Sequence, residues 1–241
     1  MRIRSLATAV VVCALVLPVA ACGTDTAATD GKANGIADQS AITVFQRGAQ
    51  ATLAATDVVA SGELPVDGVQ SKVESRFSGG AGEATVTSKS GKYQVVRSGQ
   101  FIFVRGTQEF WTKLVGKEQA VKINDRWAQS LVDGPLSQFN FFVDRNSFFR
   151  ASGKITKGEP TTTKGKPTIP IVDPKSNTDS TWWFSSTGEP VLDKYKSGAA
   201  TNFTLSYNDV VVVTVPPAAN TIDIGAIKVA TNKATPSPTK K

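Results

Sequence analysis

One cysteine lies where its type and position could support chemistry. Cys22 directly follows Ala20 and Ala21, and a basic start and an apolar run from Leu6 to Val19 precede it. A charged start, an apolar core of about 7–15 residues and small residues before a cut are typical of a secretory signal peptide. Cleavage before Cys22 would leave a chain of 220 residues whose first side chain is a thiol, which is a nucleophile once it is deprotonated.

The four residues Val19-Ala20-Ala21-Cys22 resemble the lipobox of bacterial lipoproteins, in which the cysteine thiol receives a diacylglyceryl group. The resemblance implies that Cys22 is lipidated and that the chain sits on the extracytoplasmic face of the cell membrane. The alternative is an ordinary signal peptide with an incidental cysteine. A membrane-spanning helix is disfavoured, because the apolar run is shorter than the roughly 20 residues that a bilayer requires.

The remaining composition excludes several kinds of active site. The chain has no histidine, and its second cysteine, Cys13, lies inside the predicted signal peptide. Ser-His-Asp triads, Cys-His dyads and Cys/His metal sites are therefore excluded from the mature chain. Two carboxylates could hydrolyse glycosides, but no spacing in the sequence brings two of them together. We therefore expect no enzyme activity, no metal and no cofactor, with a hydrolase as a remote alternative.

The charge of the chain is modestly basic. The formal net charge of +7 falls to +5 when Arg2 and Arg4 are removed with the signal peptide. This excess suits a protein beside anionic lipid or cell-wall polymer. It is dispersed, and no basic-aromatic motif accompanies it, so we expect no nucleic-acid partner.

The composition divides the chain into four parts. Residues 1–21 are the predicted signal peptide, and residues 22–37 are a lipidated N-terminus and flexible tether rich in Ala, Thr, Asp and Gly. Residues 38–226 form one domain. Residues 227–241 are a basic tail with two prolines that cannot bury enough apolar surface to fold.

The domain alternates between patterns of strands and helices. A helix follows an N-cap at Asp38 or Ser40, and four or more hairpin-linked strands follow it. Helical spacing returns from Thr107 and again over Leu136–Val143. The last third is predicted as strands, at Gly153–Thr156, Lys166–Ile171, Thr181–Ser185, Val191–Lys196, Phe203–Tyr207 and Val210–Val215. Strands, helices and strands without βαβ alternation predict an α+β fold with one large antiparallel sheet.

Several segments resemble a known family. They are Phe103–Gly106 followed by Phe110-Trp111, then Asp125-Arg126-Trp127, and residues 182–191 (WWFSSTGEPV). Together with the lipobox they resemble the actinobacterial LppX/LprA/LprF/LprG lipoproteins, within the wider LolA/LolB-like fold. The resemblance implies a single strongly curved antiparallel sheet, a half-barrel, with helices on its concave side. It also implies a protein that holds acyl chains of a lipid or lipoglycan in an apolar cavity and moves them away from the cytoplasmic membrane.

The residues themselves give partial support to a cavity. Residues 101–104 (FIFV) are apolar on both faces of one strand, so both faces must be covered or face a cavity. The predicted lining is Phe101, Phe103, Val104, Trp111, Leu114, Phe139 and Phe142. Arg145 and Arg150 could contact phosphate head groups at its mouth. The alternative is that these aromatic side chains are packed core and the arginines a solvated edge.

The sequence therefore predicts a membrane-anchored, monomeric lipoprotein that binds a lipid or lipoglycan and carries or presents it. The alternative is a non-enzymatic interaction or sensory module that binds a protein partner or cell-wall polymer with the same fold. A packed interior with an exposed apolar patch would favour the module.

Overall fold

The computed structural model describes residues 31–225, apart from residues 90, 152, 175–178 and 208. The predicted signal peptide, Cys22, most of the tether and the basic tail lie outside the described residues.

The described chain consists mainly of strands, with a few helices. The helices are α1 (Ala41–Ala54), α2 (Gln108–Val115), α3 (Lys117–Ile123) and α4 (Asn140–Val143), with single 3-10 turns at Ile36–Asp38, Ser137–Phe139, Arg145–Phe148 and Ala218–Asn220. The strands are β1 (Asp57–Val66), β2 (Val69–Ser78), β3 (Ala81–Ser88), β4 (Gly91–Ser98), β5 (Phe101–Gly106), β6 (Trp127–Leu131), β7 (Thr156–Lys157), β8 (Thr161–Thr163), β9 (Lys166–Asp173), β10 (Ser180–Ser185), β11 (Leu192–Ser197), β12 (Thr201–Ser206) and β13 (Thr221–Asp223).

These strands form one large, curved and unclosed sheet. Its order is β13-β6-β5-β4-β3-β2-β1-β12-β11-β10-β9-β7, with β8 paired to β9. Neighbouring strands are antiparallel, except that β13 runs parallel to β6. The predicted α+β fold with a curved antiparallel sheet is confirmed.

Alternation along each strand gives the sheet an inner face, packed against the helices, and an outer face. On the inner face, Val95 on β4 lies opposite Val104 on β5 and Ala84 on β3. All three belong to one buried apolar cluster that also contains side chains from the helices. The core therefore lies between the inner face and the helices.

Helix α1 covers β9, β10 and β11. It begins after Ser40, whose hydroxyl accepts a hydrogen bond from the Thr43 N–H at 3.3 Å. Of the two predicted N-caps, Ser40 is confirmed.

The prediction of one continuous helix over Leu136–Val143 is wrong. A 3-10 turn leads into the four residues of α4, which end at Asp144 in extended conformation. The Asp144 carboxylate accepts from the Asn146 N–H and so starts another 3-10 turn. Short polar side chains that bond to nearby backbone groups compete with a continuous helix.

Two strand predictions also differ from the structure. Gly153–Thr156 contributes only Thr156 to a strand, and residues 210–215 are extended but lie outside every strand. Residues 210–215 cross the sheet between β1 and β6. Both of these strands already have a hydrogen-bonded neighbour on each side, so neither offers the segment a free edge to pair with. We call residues 209–217 the strap, because they cross the outer face of the sheet from the end of β12 towards β13.

Candidate functional site

The structure brings together five of the seven residues predicted to line a cavity. Val104 lies on the inner face of β5, and Trp111 and Leu114 lie on the buried side of α2. Phe139 and Phe142 come from the turn and short helix that follow β6. All five belong to the same buried cluster.

Phe101 and Phe103 lie on the opposite, outer face of the sheet. On β5, Ile102 and Val104 occupy the inner positions, so alternation turns residues 101 and 103 outward. Phe101 is 42% exposed, whereas Phe103 is buried but lies outside the inner cluster. The sequence could not decide which of the two faces meets the helices, because both faces of this strand are apolar.

The space beneath α2 and α4 is filled by side chains. Trp111 and Val104 have no accessible surface, and Phe142 is 5% exposed. A side chain that lined a cavity large enough for water would keep accessible surface inside it, so these residues are close-packed. The elongated apolar pocket that the sequence analysis expected among these residues is not open in this conformation.

Aromatic rings supply most of the bulk in this half of the core. Phe110 stacks on Tyr93 with ring centroids 4.8 Å apart and meets Trp111 edge-on at 4.9 Å. Phe139 and Phe142 meet Tyr93 edge-on at 5.6 and 6.0 Å. All but Tyr93 come from residues 107–126 and 132–148, which flank β6 and which we call the cover because they lie over β2–β5.

The sheet beneath the cover offers small residues. Ser75 and Ala84 are buried opposite each other on the inner face. A Cβ on Gly106 would lie 2.4 Å from the Phe110 ring, and one on Gly82 would lie 2.5 Å from the Val143 carbonyl oxygen. The cover therefore rests directly on the backbone of the sheet.

A buried polar atom of α2 has no partner among the described residues. The indole Nε1 of Trp111 is buried and donates no hydrogen bond to any described residue. Leaving a buried donor unpaired costs about 1–3 kcal/mol. The closed conformation therefore leaves the buried N–H of Trp111 without a hydrogen bond.

A small cavity of about 70 Å³ lies where the cover meets the ends of the strands. Phe110 and Leu114 from α2 form part of its wall, and Asp67 in the β1–β2 turn and Lys92 on β4 lie beside them. Burial raises the pKa of Tyr93, and Asp67 raises it further, so the phenol stays protonated as a donor. The hydroxyl has no hydrogen-bond partner among the described residues. The cavity combines an apolar wall with a polar rim.

Arg145 has a different place from the predicted one. Its guanidinium donates to the carbonyls of Thr52 and Ala55 near the end of α1, and to the Gly79 carbonyl at 2.9 Å. It therefore joins α1, the cover and the β2–β3 turn instead of standing at a mouth. Arg150 is exposed just beyond the cover. The sequence marked Arg145 as notable but could not show that its partners are backbone carbonyls.

In the described ranges, no three Asp, Glu, Cys or His side chains are grouped so that they could hold a metal ion. Among the same residues, no helix has the length and apolar character needed to cross a bilayer.

Comparison with known proteins gives likenesses of structure alone. No family model matches the chain, and no curated protein matches it. An uncharacterized conserved protein from Thermus thermophilus aligns with 77% of this chain and 99% of its own, at 6% identity and a TM-score of 0.46. LprF from Mycobacterium bovis aligns over 73% of this chain and 96% of its own, at 12% identity and a TM-score of 0.43. The lipoprotein LppX of Mycobacterium tuberculosis aligns over 72% and 98%, at 14% identity and a TM-score of 0.45. LprF and LppX both belong to the group that the sequence patterns resemble.

Proposed function

We propose that this protein binds the acyl chains of a lipid or lipoglycan beneath the cover, and carries or presents that lipid outside the cytoplasmic membrane. The observation that carries the proposal is the division of bulk between sheet and cover. Over β2–β5 the sheet offers small residues such as Gly82 and Gly106 beside the rings of Phe77 and Tyr93, and the cover supplies most of the large rings. Displacing the cover would expose an apolar surface with room for acyl chains.

The energetics of such an exchange are close to balanced. An acyl chain gains about 0.8 kcal/mol for each CH₂ that it buries, and the bilayer offers about the same. The unpaired Trp111 N–H lowers the cost of opening, because an open cover lets it bond to water or to a lipid carbonyl. Binding is therefore reversible, as carriage requires.

Residues 32–34, at the start of the described chain, are hydrogen-bonded to residues 186–188, close enough in sequence for a lipidated Cys22 to anchor the domain. The Asn34 N–H donates to the Ser186 carbonyl and the Gly188 N–H to the Lys32 carbonyl, both at 3.0 Å. Gly31 is nine residues after Cys22, so a lipidated Cys22 is within about 31 Å along an extended chain. Cys22→Ala should release the protein from membranes or leave an uncleaved precursor. Normal maturation of this variant with full membrane attachment would contradict the anchor.

Lipid binding can be tested with the two fully buried tryptophans, since Trp111 belongs to the cover and faces the sheet, and Trp182 lies under α1. Native mass spectrometry of the non-acylated protein from its own host should show co-purifying lipid. Loading with a lipid that carries brominated acyl chains should then quench fluorescence from Trp111. Trp111→Phe should remove most of that quenching, and Trp182→Phe should leave it in place.

Amide exchange provides an independent measurement. On lipid loading, exchange in α2 and α3 should accelerate, and exchange in α1 should not change. Absence of co-purifying lipid, together with no quenching and no change in exchange, would mean that the cover is permanent core.

That outcome would favour the second candidate, an interaction module. Its supporting observation is an apolar pair on the outer face, where Phe101 and Leu131 lie opposite each other on β5 and β6 and are 42% and 49% exposed. A packed interior together with an exposed apolar pair is the combination that favours an interaction module over a lipid carrier. Cross-linking of the anchored protein through photoreactive groups at these two positions would identify such a partner.

A further inference from the structure

The outer face of the sheet carries a cleft that the lipid proposal does not use. The strap passes over β2, β3 and β4, and its residues Thr214, Pro216 and Pro217 form one wall. The cleft encloses about 260 Å³. Its remaining lining consists of Glu74, Arg76, Glu83, Ala84, Thr85, Gln94, Val95, Val96 and Trp127.

The floor of the cleft is a row of hydrogen-bonding side chains. Glu74, Thr85 and Gln94 lie opposite one another on three adjacent strands. Within the described chain the side chains of Glu74 and Gln94 make no hydrogen bond, so both are available to a ligand. In the next row Arg76 pairs with Glu83 at 3.3 Å, and this pair fixes one side of the floor.

Trp127, at the wall, differs from the other three tryptophans. Trp182 and Trp111 pack against aromatic rings, and the Lys194 ammonium lies 4.9 Å from the centre of the Trp183 ring. Trp127 is half-buried, and in the part of the chain that the structure describes no ring or cation covers it and its N–H has no partner. It is an aromatic surface at the edge of a polar cleft.

We propose that this cleft binds a neutral hexopyranose unit of a glycan. A pyranose ring has an apolar C–H face, which suits an aromatic side chain, and a rim of hydroxyls. A carboxylate such as Glu74 accepts charge-assisted hydrogen bonds from two hydroxyls, and the Gln94 amide both donates and accepts. The two glutamates and one arginine of the lining carry a net charge of −1, and Arg105, opposite Gln94 on β5, offsets it, so the region is close to neutral and suits an uncharged sugar. The site is independent of the lipid proposal, because it lies on the other face of the sheet.

Titration of the mature full-length chain tests the proposal. The probes are chitotriose and mannotriose as neutral sugars and trigalacturonate as the acidic control. The readout is the indole N–H resonance of Trp127 in ¹H–¹⁵N spectra, assigned with Trp127→Phe. We expect this resonance to move with a dissociation constant in about the millimolar range, while those of Trp111 and Trp182 stay in place. Preference for chitotriose would indicate an N-acetylhexosamine polymer, and preference for mannotriose a mannose-bearing glycan.

Four variants separate stacking from hydrogen bonding. Binding, measured by calorimetry, should weaken at least about tenfold in Trp127→Ala and about fivefold in Glu74→Gln, and Trp127→Phe should stay within about threefold because it retains a ring. Trp183→Ala, which removes a tryptophan already covered by a lysine, should bind as the parent does. No binding of either neutral sugar, equal binding of trigalacturonate, or unchanged affinity in Glu74→Gln would overturn the proposal, even if Trp127→Ala fails to fold.

Discussion

The two halves of the inner core are built differently. Over β9–β11 the core is closed by α1, a helix of 14 residues. Over β2–β5 it is closed by the cover, whose longest helix has eight residues. Each half buries one tryptophan completely. The Trp182 N–H donates to the carbonyl of Phe148, the last residue of the cover, at 2.5 Å, whereas the Trp111 N–H has no partner among the described residues.

In the α1 half, a buried hydroxyl also joins the helix to the sheet. The Thr52 hydroxyl donates to the Gly48 carbonyl and accepts from the Leu192 N–H, both at 2.8 Å. A helix that is hydrogen-bonded to the sheet in this way is fixed in position. Up to Val143 the cover makes its contact with the sheet chiefly through rings over small residues. Its polar ties, the Arg97–Asp144 ion pair at 3.1 Å and the backbone contacts of Arg145, lie at its C-terminal end, so the remainder of the cover can separate from the sheet without breaking them. The difference suggests one permanent half and one half that opens.

The largest expected effect comes from the two tryptophans. Trp182→Phe should lower the free energy of unfolding by about 3 kcal/mol, because it leaves space in the core and strands the Phe148 carbonyl. Trp111→Phe leaves the same space but also removes an unpaired donor, so it should cost about 1–3 kcal/mol less. Urea unfolding of both variants measures the difference. Equal losses would show that the Trp111 N–H is satisfied in solution, and the contrast between the halves would fail.

Two glycines, one in each half of the core, provide the next test of whether the two halves differ in rigidity. A Cβ on Gly48 would lie 2.1 Å from the Phe184 ring, and one on Gly106 would lie 2.4 Å from the Phe110 ring. Phe184 is fully buried against α1, so Gly48→Ala should cost about 2 kcal/mol through overpacking. Phe110 is half-buried and belongs to the cover, which can give way, so Gly106→Ala should cost about half as much. A larger loss for Gly106→Ala in thermal unfolding would contradict a yielding cover.

How much of this could be read from the sequence differs between the halves. The first helix, its cap at Asp38 or Ser40 and the hairpin-linked strands after it could be predicted from local spacing, because each signal lies within a few residues. The inward-facing side of β5 could not be predicted, because residues 101–104 are apolar on both faces and only long-range packing decides which face meets the helices. The prediction of a strand in the strap is wrong. Its valines favour a strand, but a strand also needs a free sheet edge, and the availability of an edge depends on the whole sheet. Residues 127–131 were not predicted as a strand, since the pattern there is short and follows a helix directly.

Acidity gives a third test, because the α1 half contains a buried carboxyl group with an unpaired oxygen. Asp193, which is 8% exposed, has a carboxylate oxygen without a partner, and burial raises its pKa to about 6. The folded protein therefore binds the proton more tightly than the unfolded chain. This contribution favours folding below about pH 4 and is lost as the pH rises through about 6. Asp193→Asn should stabilise the protein by about 1–2 kcal/mol at pH 8 and by nothing at pH 4.

The measurement for Asp193 is a series of unfolding curves from pH 4 to pH 8. Asp125→Asn, at an exposed position, controls for the loss of one negative charge. Parallel curves for the parent and Asp193→Asn would mean that water reaches the carboxyl group in solution, and the α1 half would then be less closed than its helix implies.

The smallest effect separates local opening from global unfolding. Both helices begin at a hydroxyl cap, with Ser40 accepting from Thr43 N–H at 3.3 Å and Thr107 accepting from Phe110 N–H at 3.2 Å. Removing either cap with alanine should cost its helix about 1 kcal/mol. In a permanent α1 that cost should appear as lower global stability, because the helix does not unfold without the rest of the domain. In a cover that opens by itself, Thr107→Ala should instead raise amide exchange in α2 by about fivefold and leave the global free energy of unfolding almost unchanged. Native-state exchange read beside urea unfolding distinguishes the two responses, and a loss of global stability in both variants would show that the two halves unfold as one unit.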